Sequence, residues 1–394
     1  MLKSNENPLG MKKKLRVLHI VGAMNRAGTE TMLMNIFRNI DRSKIHFDFL
    51  SFSKLVAHYD EEIHSLGGRV IRITNTQSIL GIVKAIRKYG PYDAVHSHTL
   101  FHCGIANLAA RIAGVKIRIA HAHTTLDKND TILRSIYIFS MRAATKLTST
   151  HYLACSKQAG AYLFGNATEE NQKYMYFPNL IDYSQFESMK VDEVAVFKKE
   201  VGLEDKKVIG HIGRFIEAKN HQFLLKILKS IIKKDDTYRL LLVGDGDLRE
   251  DIQKYAKKEG IFEYIKFVGI RDDIATMLQS MDVFVFPSIY EGLGLVLLEA
   301  QASGLPCIVS EAIQPEADLQ LGLFTKLFLN DDPNLWAEKI INITNRNHME
   351  KPMIIRSTFE NSGYSLSKGI SKLVEIYNGN YTGGKYEKDP YFVL

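Results

Sequence analysis

Two glutamates eight positions apart form the most informative pattern in this chain of 394 residues. In PSIYEGLGLVLLEAQASGLPCIVS, residues 287–310, Glu291 lies in the loop after a predicted strand and Glu299 lies inside the helix that follows. Such loops lie at the carboxyl edge of a parallel sheet, where α/β proteins bind ligands. We therefore expect Glu291 to accept hydrogen bonds from sugar hydroxyls and Glu299 to accept them from a ribose. A helix with an incidental surface glutamate is the alternative interpretation.

The glycines of this loop and a nearby pair of cations indicate a phosphate site. Gly292 and Gly294 allow the backbone to approach a ligand, and the helix N-terminus that follows favours an anion. In HIGRFIEAKNHQFLL, residues 211–225, Arg214 follows a predicted strand and Lys219 precedes a predicted helix. A planar guanidinium and a compact ammonium on one loop suit a diphosphate, although two solvated basic residues would give the same pattern.

Strands and helices alternate along the chain, and such an arrangement can position these loops. Short β-branched runs, of which Leu15–Val21 is the first, are each followed by a turn and a helical pattern. The alternation predicts parallel sheets built from βαβ units. It restarts near residue 190, and a single core stops growing near about 250–300 residues. We therefore predict an α/β protein with two Rossmann-like, doubly wound domains facing a cleft.

The predicted domain boundaries follow these patterns. The predicted segments are an N-terminal tail (1–14), an N-terminal acceptor-binding domain (15–185), a C-terminal nucleotide-sugar-binding domain (186–360), a C-terminal helix that could return to the first domain (361–380) and a second tail (381–394). Within the first domain, residues 22–29 are predicted as a loop, residues 30–39 as a helix and residues 132–144 as a helix.

Composition and charge indicate the compartment of the protein and the charge of its partner. Three cysteines cannot form a disulfide framework and match no metal-binding spacing, which favours a reducing compartment. No apolar run approaches the ~18 residues of a membrane span, and no signal peptide is recognisable, so we expect a cytoplasmic protein. Residues 1–185 contain 24 Lys+Arg against 13 Asp+Glu, whereas residues 186–394 contain 27 against 31. This asymmetry suggests an anionic partner for the first half, although no nucleic-acid motif is present.

Residues 207–310 resemble the donor-binding domain of the retaining glycosyltransferases of family 4, which have the GT-B architecture. Glu291 and Glu299 match the family's E-x7-E motif, and Gly213, Arg214 and Lys219 match its G-R-[FL]…K segment. Gly244-Asp245-Gly246, Phe267-Val268-Gly269 and Pro287-Ser288 follow in the family's order. The resemblance extends over nearly all of residues 15–345 and is closest to the capsule and exopolysaccharide branch.

The resemblance implies roles for individual residues. Arg214 and Lys219 would hold the diphosphate, Glu299 the ribose, Glu291 the transferred hexose, and Arg271 would bracket the base. The remaining predicted donor contacts are Gly213, Gly244, Gly292, Gly294, Leu295 and Val296. Arg214, Lys219 and a helix N-terminus can do what a metal ion would do, so no metal and no cofactor is expected beyond the nucleotide diphosphate sugar, with a UDP-sugar favoured.

The first domain matches the family less specifically. VGAMNRAGTETMLMNIFR, residues 21–38, resembles the family's glycine loop, which places Gly28 and Thr29 on the acceptor side. The segments 95–102 and 119–125 place histidines at two successive strand ends, where His98 and His123 are candidates and a structural role is equally open. The family has a sugar-contacting histidine after the second of these strands. His123 matches it better than His121, and we therefore count His123 among the catalytic candidates.

We expect a retaining, metal-independent hexosyltransferase that acts on a glycan or polyprenyl-linked acceptor in cell-surface polysaccharide synthesis. The alternatives are a GT-B-type nucleotide-sugar epimerase and a catalytically silent sugar-nucleotide-binding partner of another transferase. A nicotinamide oxidoreductase is excluded because no G-x-G-x-x-G follows the first strand.

The first domain also has features of a protein that docks on the inner face of the cell membrane. Its excess of basic residues favours an anionic lipid surface. On a helical wheel, residues 132–147 place one apolar stripe apart from three basic residues. The stripe comprises Ile132, Ile136, Phe139 and Ala143, and the basic residues are Arg134, Arg142 and Lys146. A core helix with a solvated basic face remains the alternative.

Overall fold

The computed structural model describes residues 14–73, 75–76, 78–125, 131–165, 171–188, 190–345, 352–361 and 363–380. The chain divides into two compact units. The first combines the residues up to Leu180 with those from Gly363 onward, and the second is Ile181–Ser362. The predicted tails lie outside the described residues, except for Lys14.

The first unit is built on a seven-stranded parallel sheet with the order β3-β2-β1-β4-β5-β6-β7. Its strands are β1 (Leu15–Val21), β2 (Ile45–Ser51), β3 (Arg69–Arg72), β4 (Ala94–Ser97), β5 (Ile117–Ala122), β6 (His151–Ala154) and β7 (Tyr174–Tyr176). Its helices are α1 (Gly28–Asn39), α2 (Asp60–Ser65), α3 (Ile79–Tyr89), α4 (Cys103–Ile112), α5 (Ile132–Thr148), α6 (Lys157–Phe164) and, after the second unit, α15 (Leu366–Tyr377).

The second unit is built on a six-stranded parallel sheet with the order β10-β9-β8-β11-β12-β13. Its strands are β8 (Lys207–Ile212), β9 (Tyr238–Val243), β10 (Ile265–Gly269), β11 (Val283–Phe286), β12 (Cys307–Ser310) and β13 (Phe324–Leu327). Its helices are α7 (Ser184–Glu187), α8 (Val191–Val201), α9 (His221–Ile232), α10 (Arg249–Lys258), α11 (Ile274–Gln279), α12 (Leu295–Ala302), α13 (Pro333–Thr344) and α14 (Pro352–Asn361).

Strands β9 and β11 of the second sheet are nearly continuously apolar, as buried parallel strands covered by helices on both faces are expected to be. Every residue of β9 except Arg239 is buried, and all four residues of β11 are. The predicted fold class, α/β with two doubly wound parallel sheets, is therefore confirmed.

Helix α15 belongs to the core of the first unit although it follows the second unit in sequence. Leu373, Ile376 and Tyr377 are buried in the cluster that also contains Phe47 and Phe49 of β2. A β-carbon at Gly369 would lie only 2.3 Å from the Leu180 side chain, so the helix packs closely on that segment. Among the described helices, none combines the length and hydropathy that crossing a membrane requires.

Two local predictions in the first unit need correction. Helix α1 begins at Gly28 rather than at Glu30, because the backbone already turns after Ala27, whose carbonyl accepts from Thr31 N–H. Helix α5 continues to Thr148, where Ala144 had been predicted as its end. The hydroxyls of Thr145 and Thr148 donate to carbonyls one turn earlier, which satisfies these polar side chains within the helix.

Candidate active site

The carboxyl ends of β8 and β11 form the topological switch point of the second unit. Strand β8 lies between β9 and β11. From β8 the chain continues through β9 to β10 on one side of the sheet, and it then crosses to β11 on the other side. Open α/β sheets bind ligands in the crevice at such a point. The loops after β8 and β11 are joined there, because the N–H of Ile289 donates to the carbonyl of Ala218 over 2.8 Å.

Lys219 and Glu291 meet at this point. The Lys219 ammonium donates to Oε2 of Glu291, and it lies 4.3 Å from the centroid of the Phe286 ring. The other carboxylate oxygen, Oε1, accepts from the N–H of Gly292 over 3.2 Å. The two charged side chains are only 15% and 21% exposed. The structure thus brings together a cation and a carboxylate that the sequence had placed in separate loops, at an edge that a ligand can reach.

Glycine is required where the loop after β9 packs on the loop that carries Arg214. Gly244 has φ +130°, and a β-carbon there would lie 2.2 Å from the carbonyl oxygen of Gly213. The N–H of Gly213 in turn donates to the carbonyl oxygen of Val243 over 3.0 Å. Arg214 follows with an exposed side chain that has no partner among the described residues. Gly213 and Gly244 therefore fix the backbone from which the guanidinium projects.

The N-terminus of α12 faces the same edge. Gly294, its N-cap, adopts the left-handed conformation with φ +81° and supplies no side-chain acceptor to the first turn. Leu295 is buried and Val296 is partly exposed, so the first turn is anchored in the core at one position. A helix start of this kind can bind an anion through its backbone N–H groups.

Glu299 is buried within α12 without a partner for its charge. Its side chain is 9% exposed, and no group among the described residues pairs with its carboxylate. The neighbouring helical residues, Leu297, Leu298, Ala300 and Gln301, are also buried. Burial raises the pKa of the Glu299 carboxyl to about 7. A ligand that donates hydrogen bonds to this carboxylate would offset the cost of its desolvation.

Arg271 lies at some distance along the sheet, after the edge strand β10. Its guanidinium donates to both carboxylate oxygens of Asp273, over 2.8 and 2.7 Å, and this ion pair raises its pKa. The predicted contact between Arg271 and a base stays a prediction. To contact a base, the Arg271 guanidinium must either keep its ion pair with Asp273 and bind the base as well, or give up this ion pair.

In the first unit, the predicted histidines belong to a larger buried cluster. His98 Nδ1 lies 2.9 Å from Nε2 of His123, and His98 Nε2 lies 3.2 Å from Nδ1 of His19. A second series of hydrogen bonds joins His121 to His96 over 3.2 Å and His96 to the Tyr377 hydroxyl of α15 over 2.8 Å. The cluster extends from the interior of the sheet to the carboxyl ends of β4 and β5.

Burial keeps these imidazoles neutral. It lowers the pKa of His19 and of His123 to about 3, and it lowers the pKa of His96, His98 and His121 well below the usual value. His98 and His123 are the members that remain partly exposed. They can therefore donate and accept hydrogen bonds at the sheet edge at neutral pH without carrying a charge.

Neutral imidazole is also the form that binds metal ions. Two overlapping triplets, His19-His96-His98 and His98-His121-His123, each offer three ring nitrogens within 4.8 Å of one another. Most of these nitrogens already bond to one another or to Tyr377, so a metal ion would have to replace those hydrogen bonds.

Gly28 and Thr29 occupy the first turn of α1, at the carboxyl end of β1. They therefore lie on a helix N-terminus rather than in the loop that the sequence had indicated. Gly28 is exposed and Thr29 is partly exposed, so both remain accessible to a ligand.

Sequence reasoning missed two members of the histidine cluster and its partner on α15. His19 and His96 had been assigned to strands without a role, and Tyr377 follows the second unit in sequence. A signal was present in the spacing: His96 and His98 are two apart, as are His121 and His123, and period two puts both members of each pair on one face of a strand.

Two protein-family models match the chain. The model described as Glycosyltransferase Family 4 matches residues 26–185, and the model described as Glycosyl transferases group 1 matches residues 206–346. A Bacillus subtilis (strain 168) protein named as glycosyltransferase EpsF is 38% identical over 372 residues, which cover 92% of this chain and 96% of that protein. An Escherichia coli UDP-Gal:alpha-D-GlcNAc-diphosphoundecaprenol alpha-1,3-galactosyltransferase is 24% identical, with 92% and 97% covered.

The fold is also found in solved structures. Anabaena HepE in complex with UDP and glucose has a TM-score of 0.76 and 16% sequence identity, and the match covers 93% of this chain and all of HepE. HepE has also been solved with UDP-glucose, with a TM-score of 0.75. At this level of identity the likeness concerns the fold.

Replacing Glu299 by glutamine should change how stability depends on pH. The native pKa of about 7 exceeds the ordinary 4.5, so the folded wild type binds more protons than the unfolded chain between these values. Wild-type stability therefore falls, through this group, as pH rises from about 4.5 to 7, by an amount on the order of 3 kcal/mol. Glu299→Gln cannot ionise and should escape this loss.

Denaturant unfolding of both proteins at several pH values measures the effect. The difference in unfolding free energy should grow in favour of Glu299→Gln up to about pH 7 and then level off. Other titrating groups affect both proteins equally and cancel in the difference. Parallel stability curves for the two proteins would show that Glu299 is not buried as described.

Proposed function

Since the chain belongs to the family 4 glycosyltransferases, we propose that it transfers a hexose or N-acetylhexosamine from a nucleotide diphosphate sugar to a glycan or lipid-linked acceptor. The setting that we propose is cell-surface polysaccharide synthesis, in the cytoplasm or peripherally on the inner face of the cell membrane. Relatives named for capsular polysaccharide synthesis, such as CapH of Staphylococcus aureus, support this setting.

The observation that carries the proposal is the meeting of Lys219 and Glu291 at the switch point of the second sheet. In the proposed complex, the Lys219 ammonium and the exposed Arg214 guanidinium bind the diphosphate, and the N-terminus of α12 adds its dipole. Glu291 then accepts hydrogen bonds from the transferred sugar. The ion pair holds both side chains at the sheet edge, where each can exchange its partner for a part of the donor.

Glu299 binds the ribose in this proposal, because its buried carboxylate has no partner among the described residues. A pair of ribose hydroxyls donating to it would supply the missing hydrogen bonds. UDP is the favoured nucleotide, which the complexes of HepE with UDP and UDP-glucose and the UDP-Gal named for the Escherichia coli relative support. Arg271 is the proposed contact to the base.

On the acceptor side we propose Gly28, Thr29, His98 and His123, with His123 nearest the transferred sugar. All four lie at the carboxyl edge of the first sheet, at the end of β1, β4 or β5. A polyprenyl-linked acceptor is consistent with the diphosphoundecaprenol substrate named for the Escherichia coli relative.

The proposed reaction retains the anomeric configuration and needs no metal ion and no covalent enzyme intermediate. The bond between the anomeric carbon and the diphosphate oxygen breaks as the acceptor oxygen attacks from the same face, and the departing diphosphate oxygen takes the acceptor's proton. Arg214, Lys219 and the α12 N-terminus stabilise the negative charge that develops on the leaving group. This is the work that a metal ion would otherwise do.

Replacing Lys219 by alanine should reduce turnover about 10²- to 10³-fold, because the developing negative charge loses its closest ammonium. The measurement is release of nucleoside diphosphate from a panel of nucleotide sugars, with and without a lipid-linked acceptor. The same panel distinguishes transfer from epimerisation, which would change the donor sugar without acceptor.

Lys226→Ala is the matched control, since Lys226 is an exposed lysine on the following helix α9. It should leave turnover unchanged. Near-normal turnover and donor affinity in Lys219→Ala, with an unchanged melting temperature, would contradict the diphosphate role.

The two glutamates should separate in a calorimetric experiment with nucleoside diphosphate alone, which contains the ribose but no transferred sugar. Glu299→Gln loses the charged acceptor, and its affinity for this ligand should fall by about tenfold or more. This is the effect expected from the loss of one hydrogen bond to a charged group. Glu291→Gln keeps an amide oxygen that can accept from the Lys219 ammonium, so it should bind this ligand as the wild type does and lose transfer activity instead. Equal affinities for wild type and Glu299→Gln would refute the ribose assignment.

Transfer should continue in the presence of a chelator. The proposed charge stabilisation comes from two cations and a helix N-terminus, so EDTA treatment followed by gel filtration should leave the initial rate unchanged. The control is re-addition of Mg²⁺ or Mn²⁺, which should give no large stimulation. Loss of activity that only a divalent ion restores would rule out the metal-independent mechanism.

A further inference from the structure

Helix α5 of the first unit exposes its apolar face. Five large apolar side chains on it are exposed: Ile132 (83%), Leu133 (80%), Ile136 (58%), Phe139 (76%) and Leu147 (74%). Among the described residues of this unit, only four other large apolar side chains are exposed, and they are spread over three other segments. An exposed apolar patch on one helix marks an interaction surface.

The inner face of α5 shows why the apolar face points outward. Thr145 and Thr148 are its buried residues, and small side chains lie beside them. Helix α4 approaches so closely that a β-carbon at Gly104 would lie 2.7 Å from the carbonyl oxygen of Met141 and 3.2 Å from Cβ of Ala144. A side chain at position 104 would therefore clash with the backbone of α5. The polarity of α5 is therefore inverted relative to an ordinary surface helix, whose apolar stripe faces the core.

The charges around α5 indicate what covers the apolar face. From residue 94 to residue 170 the sequence contains eight Lys or Arg residues and four acidic residues, of which Asp127 and Asp130 precede α5 and Glu169 and Glu170 follow α6. Helices α4, α5 and α6 contain no Asp or Glu. Lys146 lies exposed beside the apolar face, whereas Arg142 is partly buried and donates to the carbonyl of Tyr162. An apolar strip with basic residues alongside complements an anionic lipid surface.

The position of α5 also suits a lipid-linked acceptor. The helix follows β5, so its N-terminal end lies at the carboxyl edge of the sheet, where His98 and His123 lie. The Tyr137 hydroxyl bonds to Nδ1 of His102 over 2.7 Å, which fixes α5 against the segment that follows His98.

We propose that the exposed face of α5 docks on an anionic membrane, with its apolar side chains inserted among the lipid head groups. The proposal rests on the proposed function in one respect, that a lipid-linked acceptor gives this docking its use. The attachment is reversible, because one interfacial helix and a few basic residues provide far less binding than a spanning helix.

Vesicle flotation of the full chain tests the proposal. Wild type should float with vesicles of phosphatidylcholine containing about one-third phosphatidylglycerol and should bind far less to phosphatidylcholine alone, because the basic residues need anionic lipid. Raising the salt from about 0.1 to 1 M shortens the Debye length from about 10 to 3 Å and should weaken the binding. The double substitution Ile136→Ser with Phe139→Ser should reduce the partition coefficient about tenfold or more.

Leu80→Ser is the matched control, since Leu80 is 69% exposed on helix α3 of the same unit. It should bind vesicles as the wild type does, and all variants should keep the wild-type melting temperature because the replaced side chains are exposed. Transfer to a water-soluble acceptor should be unchanged in the α5 variant. Vesicle binding does not depend on turnover, so a failure of the proposed function would leave this result standing.

Three outcomes would overturn the proposal. The first is no binding to anionic vesicles at low salt, and the second is equal binding to neutral and anionic vesicles. The third is a dimer of the wild type in sedimentation that the α5 substitutions dissociate, which would make this face a contact between two copies of the chain.

Discussion

Lys219 and Glu291 lie 72 positions apart in sequence, and the order of strands in the second sheet brings them into contact. In this parallel sheet, successive strands are added on one side of β8 up to β10 and then, from β11, on its other side. The carboxyl ends of β8 and β11 therefore lie next to each other, without a helix between them. The ion pair closes this gap over the Phe286 ring. The loops that carry Arg214, Gly294 and the start of α12 are arranged around it, so the candidate donor site depends on this contact.

The two units solve the problem of buried polar groups in different ways. In the second unit, Glu299 is left without a partner, and its raised pKa is a free-energy cost that a ligand can remove. In the first unit, five imidazoles share hydrogen bonds with one another and with Tyr377, so burial keeps them neutral rather than charged.

Much of this arrangement could be predicted from the sequence, because alternating strands and helices determine which loops share a sheet edge. Residue type and position predict Arg214, Lys219 and Glu291 on loops after strands and Glu299 in the following helix. The link between Tyr377 and His96 could not be predicted, since it joins residues 281 positions apart through a helix that returns to the first unit. Likewise, the Arg271–Asp273 pair depends on side-chain conformation, which residue spacing does not determine.

Helix α5 shows a limit of a different kind. Periodicity predicts that Ile132, Ile136 and Phe139 share one face of the helix. It does not predict whether that face packs against the protein or is exposed. The direction depends on what packs against the helix, and α4 closely approaches the backbone of α5 at Gly104, on the side where Thr145 and Thr148 are buried. The sequence signal for such a helix is a second stripe, of small and hydroxyl-bearing residues, opposite the apolar one. In α5 both stripes occur together, and the apolar one is exposed.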